Sequence, residues 1–404
     1  MLLGPDRHKQ SLIPTCPRRL VRFSAQVRIA RLEGSSYEAS AKIGMLLFVS
    51  KSRLEMSYVC AGGGDFIVHE IMAEKIVITY NTIISLENLY EAWEEFLRGK
   101  KDKKDVAKFA LHLSHNIFSL HEDLKNKTYH HGAYTTFSIN DPKPRSIHKA
   151  LVRDRLLHHA IYRVLYSYFD RKFIHDSYSC RHMKGTHRAL DRFNSFFRKV
   201  FGNGCKTCWV LKCDVRKFFA SIDQAILMDI VKRHISDQDI IWLVRDIVSS
   251  FHSTQKGKGL PLGNLTSQLL VNIYMNEFDQ YVKHVLRQEF YIRYADDFVI
   301  MSGDREKLEE VLLKVDVFLK ERLKLSLHPD KVFIKTFASG VDFLGWVHFP
   351  HHRVLRTATK KRMFRNISPD SSEATVKSYL GMLSHGNGWK LRDKIEDIEY
   401  KRDQ

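Results

Sequence analysis

Two adjacent carboxylates, Asp296 and Asp297, sit in the stretch EFYIRYADDFVIMSG, Glu289 to Gly303. They separate two runs of aromatic and β-branched residues, Phe290 to Tyr294 and Phe298 to Met301, which read as strands; a connection this short makes them a hairpin. Asp is a common turn residue, so a solvated turn is one reading. The other is a cation site, because carboxylates on a rigid hairpin tip can share divalent ions with a third carboxylate from a neighbouring strand. WVLKCDV, Trp209 to Val215, offers that third group: it reads as a buried strand with Asp214 near its end, and Phe219 follows five residues later. Carboxylates converging from separate strands suit phosphoryl transfer with two divalent cations, one activating a hydroxyl and both stabilising the charged transition state.

The elements that would position these groups are mostly helical. Leu86, Leu89, Trp93, Phe96 and Leu97 recur at helical spacing in Ser85 to Arg98, and a charged KKDKKD linker, Lys100 to Asp105, leads to a further helix. Another helix is predicted from about Lys149 to Asp170. Asp223 to His234 carries Ile226, Leu227, Ile230 and Val231 on one face, and Ser236 with Asp239 reads as a capping box for the helix after it. The basic loop QKGKGLPLGN, Gln255 to Asn264, leads into a helix from about Thr266 to Leu286; beyond the hairpin come a helix from about Arg305 to Arg322 and short strands to His348. The pattern is α+β with a small, mostly antiparallel sheet. Residues 1–71 differ: they mix Ser, Arg and Gly with no sustained period, which points either to translation from Met72, to a poorly ordered leader, or to an extension of unread role.

Of the formal charge of +19, +15 lies in residues 72–404, since residues 1–71 hold 10 basic and 6 acidic side chains. An excess of this size implies a polyanionic partner, nucleic acid first and a membrane surface second. No apolar run approaches the roughly 20 residues of a membrane span, and MLLGPDRHKQ lacks a signal-peptide core, so the expectation is a cytoplasmic protein with no membrane partner. Six cysteines are too few for a disulfide scaffold. Cys205 and Cys208 form a CxxC with Cys213 nearby, but no second pair follows at zinc-finger spacing, so small buried or loop cysteines are expected.

Seven segments then carry a resemblance. KPRSIHKALVRDRLLHHAI (Lys143 to Ile161), FIHDSYSCRHMKGTHRAL (Phe173 to Leu190), LKCDVRKFFASID (Leu211 to Asp223), GLPLGNLTSQLLVNIYMNEFD (Gly259 to Asp279), YIRYADDFVIMS (Tyr291 to Ser302), LKLSLHPDK (Leu323 to Lys331) and VDFLGW (Val341 to Trp346) resemble, in order, the blocks of reverse transcriptases of the bacterial group II intron-like branch. The resemblance implies a right-hand polymerase fold. Residues 72–140 would form an N-terminal helical region, 141–348 the fingers and a palm with a small antiparallel sheet, and 349–404 a basic helical thumb. It further implies RNA-directed DNA polymerase activity with an RNA template, a DNA or RNA primer, dNTPs and two Mg2+ ions, or Mn2+ in their place. Asp214, Asp296 and Asp297 would be the catalytic metal ligands. Phe219 would be the steric gate against a 2′-hydroxyl. Lys143, Arg145 and Arg181 would approach the triphosphate, and Lys331 would protonate or steady the leaving pyrophosphate; for each basic residue a solvated surface charge is the alternative. Phe343 to Trp346 match the primer grip.

One departure narrows the resemblance. Where many reverse transcriptases read PQG followed by SP, this chain has Pro261, Leu262, Gly263, then Ser267 and Gln268. PLGNLTSQLLVNIY looks like the reverse transcriptases of diversity-generating retroelements, which copy a template RNA with errors at adenines and work with a small basic helical accessory protein. An apolar Leu262 removes a hydrogen-bonding contact near the nascent pair. Other intron-like reverse transcriptases, including defence-associated ones, and a non-catalytic RNA-binding protein on a polymerase fold are the alternatives. HRVLRTATKKRMFR, His352 to Arg365, holds six Lys or Arg and no acid, which suits a phosphate track, and Val376, Tyr379, Leu380 and Leu383 mark an amphipathic thumb helix.

Overall fold

The computed structural model describes residues 44–49, 54–59, 78–140, 144–202, 204, 206–368 and 371–400. Two units result, Met1–Ile76 and Val77–Gln404. In the first, strands β1 (Gly44–Val49) and β2 (Leu54–Val59) pair antiparallel from Gly44↔Val59 to Val49↔Leu54. This corrects the expectation of no regular period there, since LEMSYV alternates apolar and polar residues and GMLLFV is its apolar partner. The remainder of the leader, and with it the status of residues 1–43, lies outside the described residues.

The second unit opens with α1 (Tyr80–Ile84), α2 (Leu86–Leu97), α3 (Lys104–Ala110) and α4 (Leu113–Lys125). The hydroxyl of Ser85 starts α2 by accepting from Asn88 N at 3.2 Å, and Leu89, Trp93 and Phe96 are buried along one stripe. The KKDKKD run is only partly a linker, because α3 begins inside it at Lys104. A hairpin of β3 (Thr135–Ile139) and β4 (Arg145–Lys149) follows, then α5 (Val152–Asp170). The helix expected from Lys149 therefore starts three residues later, after a strand that shows little burial. Next come α6 (Thr186–Phe201), β5 (Trp209–Asp214), α7 (Phe218–Ser221), α8 (Gln224–His234), α9 (Gln238–Ser249) and α10 (Leu265–Gln280). The capping residue of α9 is Asp237, not Ser236: its Oδ1 accepts from Asp239 N and Ile240 N, while its Oδ2 accepts from Tyr80 N. The helix predicted to run to Leu286 ends as α-helix at Gln280 and continues as one π-helical turn, Tyr281–Val285.

The remaining strands are β6 (Tyr291–Tyr294), β7 (Asp297–Ser302), β8 (Phe333–Thr336), β9 (Val341–Phe343), β10 (Trp346–His348) and β11 (Arg353–Leu355), with α11 (Arg305–Leu323) between β7 and β8. Helices α12 (Thr357–Asn366), α13 (Glu373–Leu383) and α14 (Trp389–Tyr400) close the unit. Four strands form one antiparallel sheet in the order β6-β7-β5-β8. Period-two alternation gives it two apolar faces. Leu211, Cys213, Phe298 and Ile300 join a core with α5, α8, α9, α10 and α11, whereas Val210, Ile292, Val299 and Met301 join one with Phe193, Phe196 and Phe197 of α6 and with β9, β10 and the last three helices. The sheet is thus clamped between two cores, and the strand ends at Asp214 and Asp297 are held by both. Among the described residues no helix is long and apolar enough to cross a membrane.

Candidate active site

β5 and β7 pair from Trp209↔Ser302 to Asp214↔Asp297, so this register sets two carboxylates opposite each other at one end of the sheet. Only Ala295 and Asp296 connect β6 to β7. Ala295 adopts φ +55°, the left-handed conformation a tight hairpin demands, and Asp296 hands its carbonyl to Val215 N at 3.1 Å. Asp297 is therefore a strand residue, and only Asp296 belongs to the turn. Lys331, in a single 3-10 turn after His328, donates to Asp214 Oδ1 at 2.7 Å; His328 N donates to the Asp214 carbonyl at 2.8 Å. Lys212, two residue pairs back along β5 from Asp214, lies 3.2 Å from Asp297 Oδ2.

Burial and then the charge of Asp214 push the Asp296 carboxyl up, against the opposing pull of Lys331 and Arg145. For Asp297, burial is again the main cause; Lys212 opposes it, Asp296 and Asp214 add to it, and the carboxyl is pushed up to about 7. Asp297 Oδ1 is buried without a hydrogen-bond partner. Among the described residues no group of three or more His, Cys, Asp or Glu side chains stands in metal-holding geometry; Asp214 and Asp297 each face a lysine instead. The residues nonetheless fit a divalent ion of the Mg2+ type: the donors are all carboxylate oxygens, one of them is orphaned, and crowding of like charges is what a cation relieves.

The other expected site residues divide. Arg145 opens β4, exposed, with its charge felt at Asp296. Lys143 lies outside the described residues. Arg181 is not free to approach a triphosphate as expected: its side chain is 5% exposed and donates to Asp170 Oδ1, the Asp170 carbonyl, and the carbonyls of Ile174 and Ser177. It braces the segment between α5 and α6. Phe219 is half-buried in α7, and its carbonyl accepts from Leu260 N at 2.9 Å. Leu262 accepts from His148 N at 3.0 Å and Asn264 Nδ2 donates to the His148 carbonyl at 3.0 Å, so the loop before α10 is bonded to β4. Gly263 has φ +108°, and a Cβ there would stand 2.8 Å from Ile147 Cγ2. Gln268 lies half-buried in the first turn of α10. Phe343 is buried in β9, next to the Leu344–Gly345 turn.

Cys208 and Cys213 are buried thiols, Cys208 pushed up by burial to about 12; Cys205 lies outside the described residues. Sequence reasoning missed Lys212. The signal was a lone lysine inside the apolar run WVLKCD, where a charge is retained only with a partner.

Helices and a hairpin ahead of the sheet, carboxylates at its strand ends, and a small sheet followed by three helices, the first of them basic, define a right-hand polymerase with fingers, palm and thumb. A family model described as reverse transcriptase (RNA-dependent DNA polymerase) matches residues 139–348, just over half of the chain, and the chain belongs to that family. Protein YkfC of Escherichia coli (strain K12) is 26% identical, over 60% of this chain and 70% of its own. The group II intron-encoded protein LtrA of Lactococcus lactis subsp. cremoris is 23% identical, over 60% of this chain and 50% of its own. The chain thus spans only half the length of the latter relative. A solved structure of apo telomerase from Candida Tropicalis, truncated from the C-terminal domain, aligns at TM-score 0.44 and 11% identity, covering 61% of this chain and 60% of that one.

Proposed function

We infer that the chain extends a primer on an RNA template with dNTPs, its chemistry carried by Asp214, Asp296 and Asp297. The observation that carries this reading is the Asp214↔Asp297 pairing beside the Asp296 turn, with Asp297 Oδ1 buried and unpartnered. Mg2+ bound by these carboxylates, or Mn2+ in its place, would supply the charge that activates the primer hydroxyl and stabilises the transition state. The chain's own residues do the rest. Lys331, whose Nζ donates to Asp214 Oδ1, stands where it can give a proton to departing pyrophosphate. Arg145, exposed at the head of β4, meets triphosphate charge. Phe219 presents an aromatic ring against the sugar edge, and the exposed lysines of α12 take template and primer phosphates.

Within that chemistry, the LGxxxSQ phrase from Leu262 to Gln268 favours error-prone synthesis for a diversity-generating retroelement, aided by a small basic accessory protein. The similarity to LtrA favours the second reading, an intron-like reverse transcriptase of ordinary fidelity. Primer extension on an RNA template with dNTPs and Mg2+ tests both. Metal-dependent DNA synthesis is expected from the wild type and none from the Asp296→Ala/Asp297→Ala variant; sequencing the products for errors opposite adenine separates the two readings.

A further inference from the structure

Arg293, on β6, is fully buried, and its guanidinium is saturated. Nε and Nη2 donate to the two carboxylate oxygens of Asp279 at 2.8 and 2.7 Å, Nη2 also to Ser177 Oγ at 3.0 Å, and Nη1 to Asn272 Oδ1 at 3.3 Å and to the Ala295 carbonyl at 3.0 Å. These five bonds use all five N–H donors of the side chain. Asp279, equally buried, takes a third bond from Tyr291 at 2.6 Å. The main chain of Arg293 is fixed as well, its N–H to the Asp176 carbonyl and its carbonyl to Tyr178 N, both at 3.0 Å.

The bond to Ala295 is the one that bears on chemistry. Ala295 holds a left-handed φ that a residue with a Cβ resists, and its carbonyl begins the peptide leading into Asp296. On the far side of that residue, the Asp296 carbonyl is tied to Val215 N. The turn is thus gripped from α10 through Arg293 and from the residue that follows β5, Val215. A fork that reaches an anion on one side and a carbonyl on the other is a property of guanidinium, which an ammonium on a shorter set of donors does not reproduce.

We propose that Arg293, anchored by Asp279, is a positioning residue that sets the orientation of Asp296 and Asp297 against Asp214. This rests on the reading of those carboxylates as the catalytic set. Arg293→Lys retains the charge opposite Asp279 but gives up the simultaneous bond to Ala295. It is expected to lower kcat for primer extension at least tenfold and to raise the Mg2+ concentration at half-maximal rate severalfold, with KM for dNTP within twofold. A merely structural arginine would lower the melting temperature and leave the rate per folded molecule and the Mg2+ requirement unchanged, which would overturn the proposal. Should Arg293→Lys fail to fold, the uncharged pair Arg293→Met/Asp279→Leu, which leaves no orphaned charge, decides by the same two readouts. The wild type and Asp296→Ala/Asp297→Ala run alongside. Activity that survives in the latter would overturn the reading of the carboxylates and this proposal with it, whereas a normal Arg293→Lys beside a dead double variant would overturn this proposal alone.

Discussion

Lys331 Nζ lies 2.7 Å from Asp214 Oδ1, a contact between residues 117 positions apart that ties the turn before β8 to the end of β5. The lysine is 40% exposed, so the pair adds at most about 1 kcal/mol to stability. The role proposed for it is chemical. Lys331→Ala is expected to leave the melting temperature nearly unchanged while single-turnover extension slows about 100-fold, the scale of a lost general acid. Thermal melts and rapid-quench extension with wild type and variant check both.

Gly263 is fixed by two independent constraints, its φ of +108° and the 2.8 Å between a Cβ placed there and Ile147 Cγ2. Gly263→Ala should cost about 1–3 kcal/mol, the scale of one strained backbone position. Because Leu262 and Asn264 on either side bond to His148 of β4, the displaced loop should carry the hairpin with it and raise KM for dNTP. Adding Ile147→Ala relieves the clash but not the dihedral, so thermal melts should show partial recovery.

What the sequence disclosed depended on how local the signal was. Asp214, Asp296 and Asp297 stood out because each ends, or sits between, short apolar strands. The hairpin of β3 and β4 did not, since TTFSI is exposed at every position and the hairpin is held through the main chain of His148 on β4, bonded to Leu262 and Asn264 more than 100 residues later. Arg181 and Arg293 are ordinary basic residues in a string of letters, and Lys212 stands out only as a charge inside an apolar run. That they are tied to Asp170, Asp279 and Asp297 follows from packing alone. Helix α6 is a different omission: Ala189, Leu190, Phe193, Phe196, Phe197 and Val200 mark a buried helical stripe that was readable but lay partly inside a motif.

His348 is fully buried in β10, its Nδ1 3.1 Å from Asn194 Oδ1, and burial, with the charge of Arg353, pushes it down to about 3. The unfolded chain takes up this proton below about pH 6.5 and the folded chain does not, so the contribution is complete above pH 6.5 and is lost as pH falls towards 3. At pH 5 the loss is about 2 kcal/mol. Asp297, pushed up to about 7, has the opposite sign: its contribution is present at low pH and lost as pH rises through 7. The comparison must therefore isolate the histidine. His348→Gln should have a urea midpoint that falls less than the wild type's between pH 7.5 and 5.

Lys360 and Lys361 are exposed side chains on α12. If they neutralise phosphates of a template–primer duplex, replacing both by Ala should flatten the plot of log affinity against log salt by about 1.5 units and weaken binding alike for all sequences. Fluorescence anisotropy at several salt concentrations reads the slope. An unchanged slope would place the duplex away from this helix.

Leu262 lies in the loop whose main chain bonds β4, and its half-buried side chain offers no hydrogen bond to a base or sugar. A glutamine at this position restores both a donor and an acceptor. One added hydrogen bond that a correct pair satisfies and a mismatch does not is worth about 1 kcal/mol, or five- to tenfold in discrimination. Leu262→Gln is therefore expected to cut misincorporation opposite template adenine by about that factor while the rate of correct extension stays within twofold. The backbone bond to His148 does not depend on the side chain, so the variant should fold as the wild type does. Equal error spectra in the two proteins would detach fidelity from Leu262 and favour the ordinary intron-like reading.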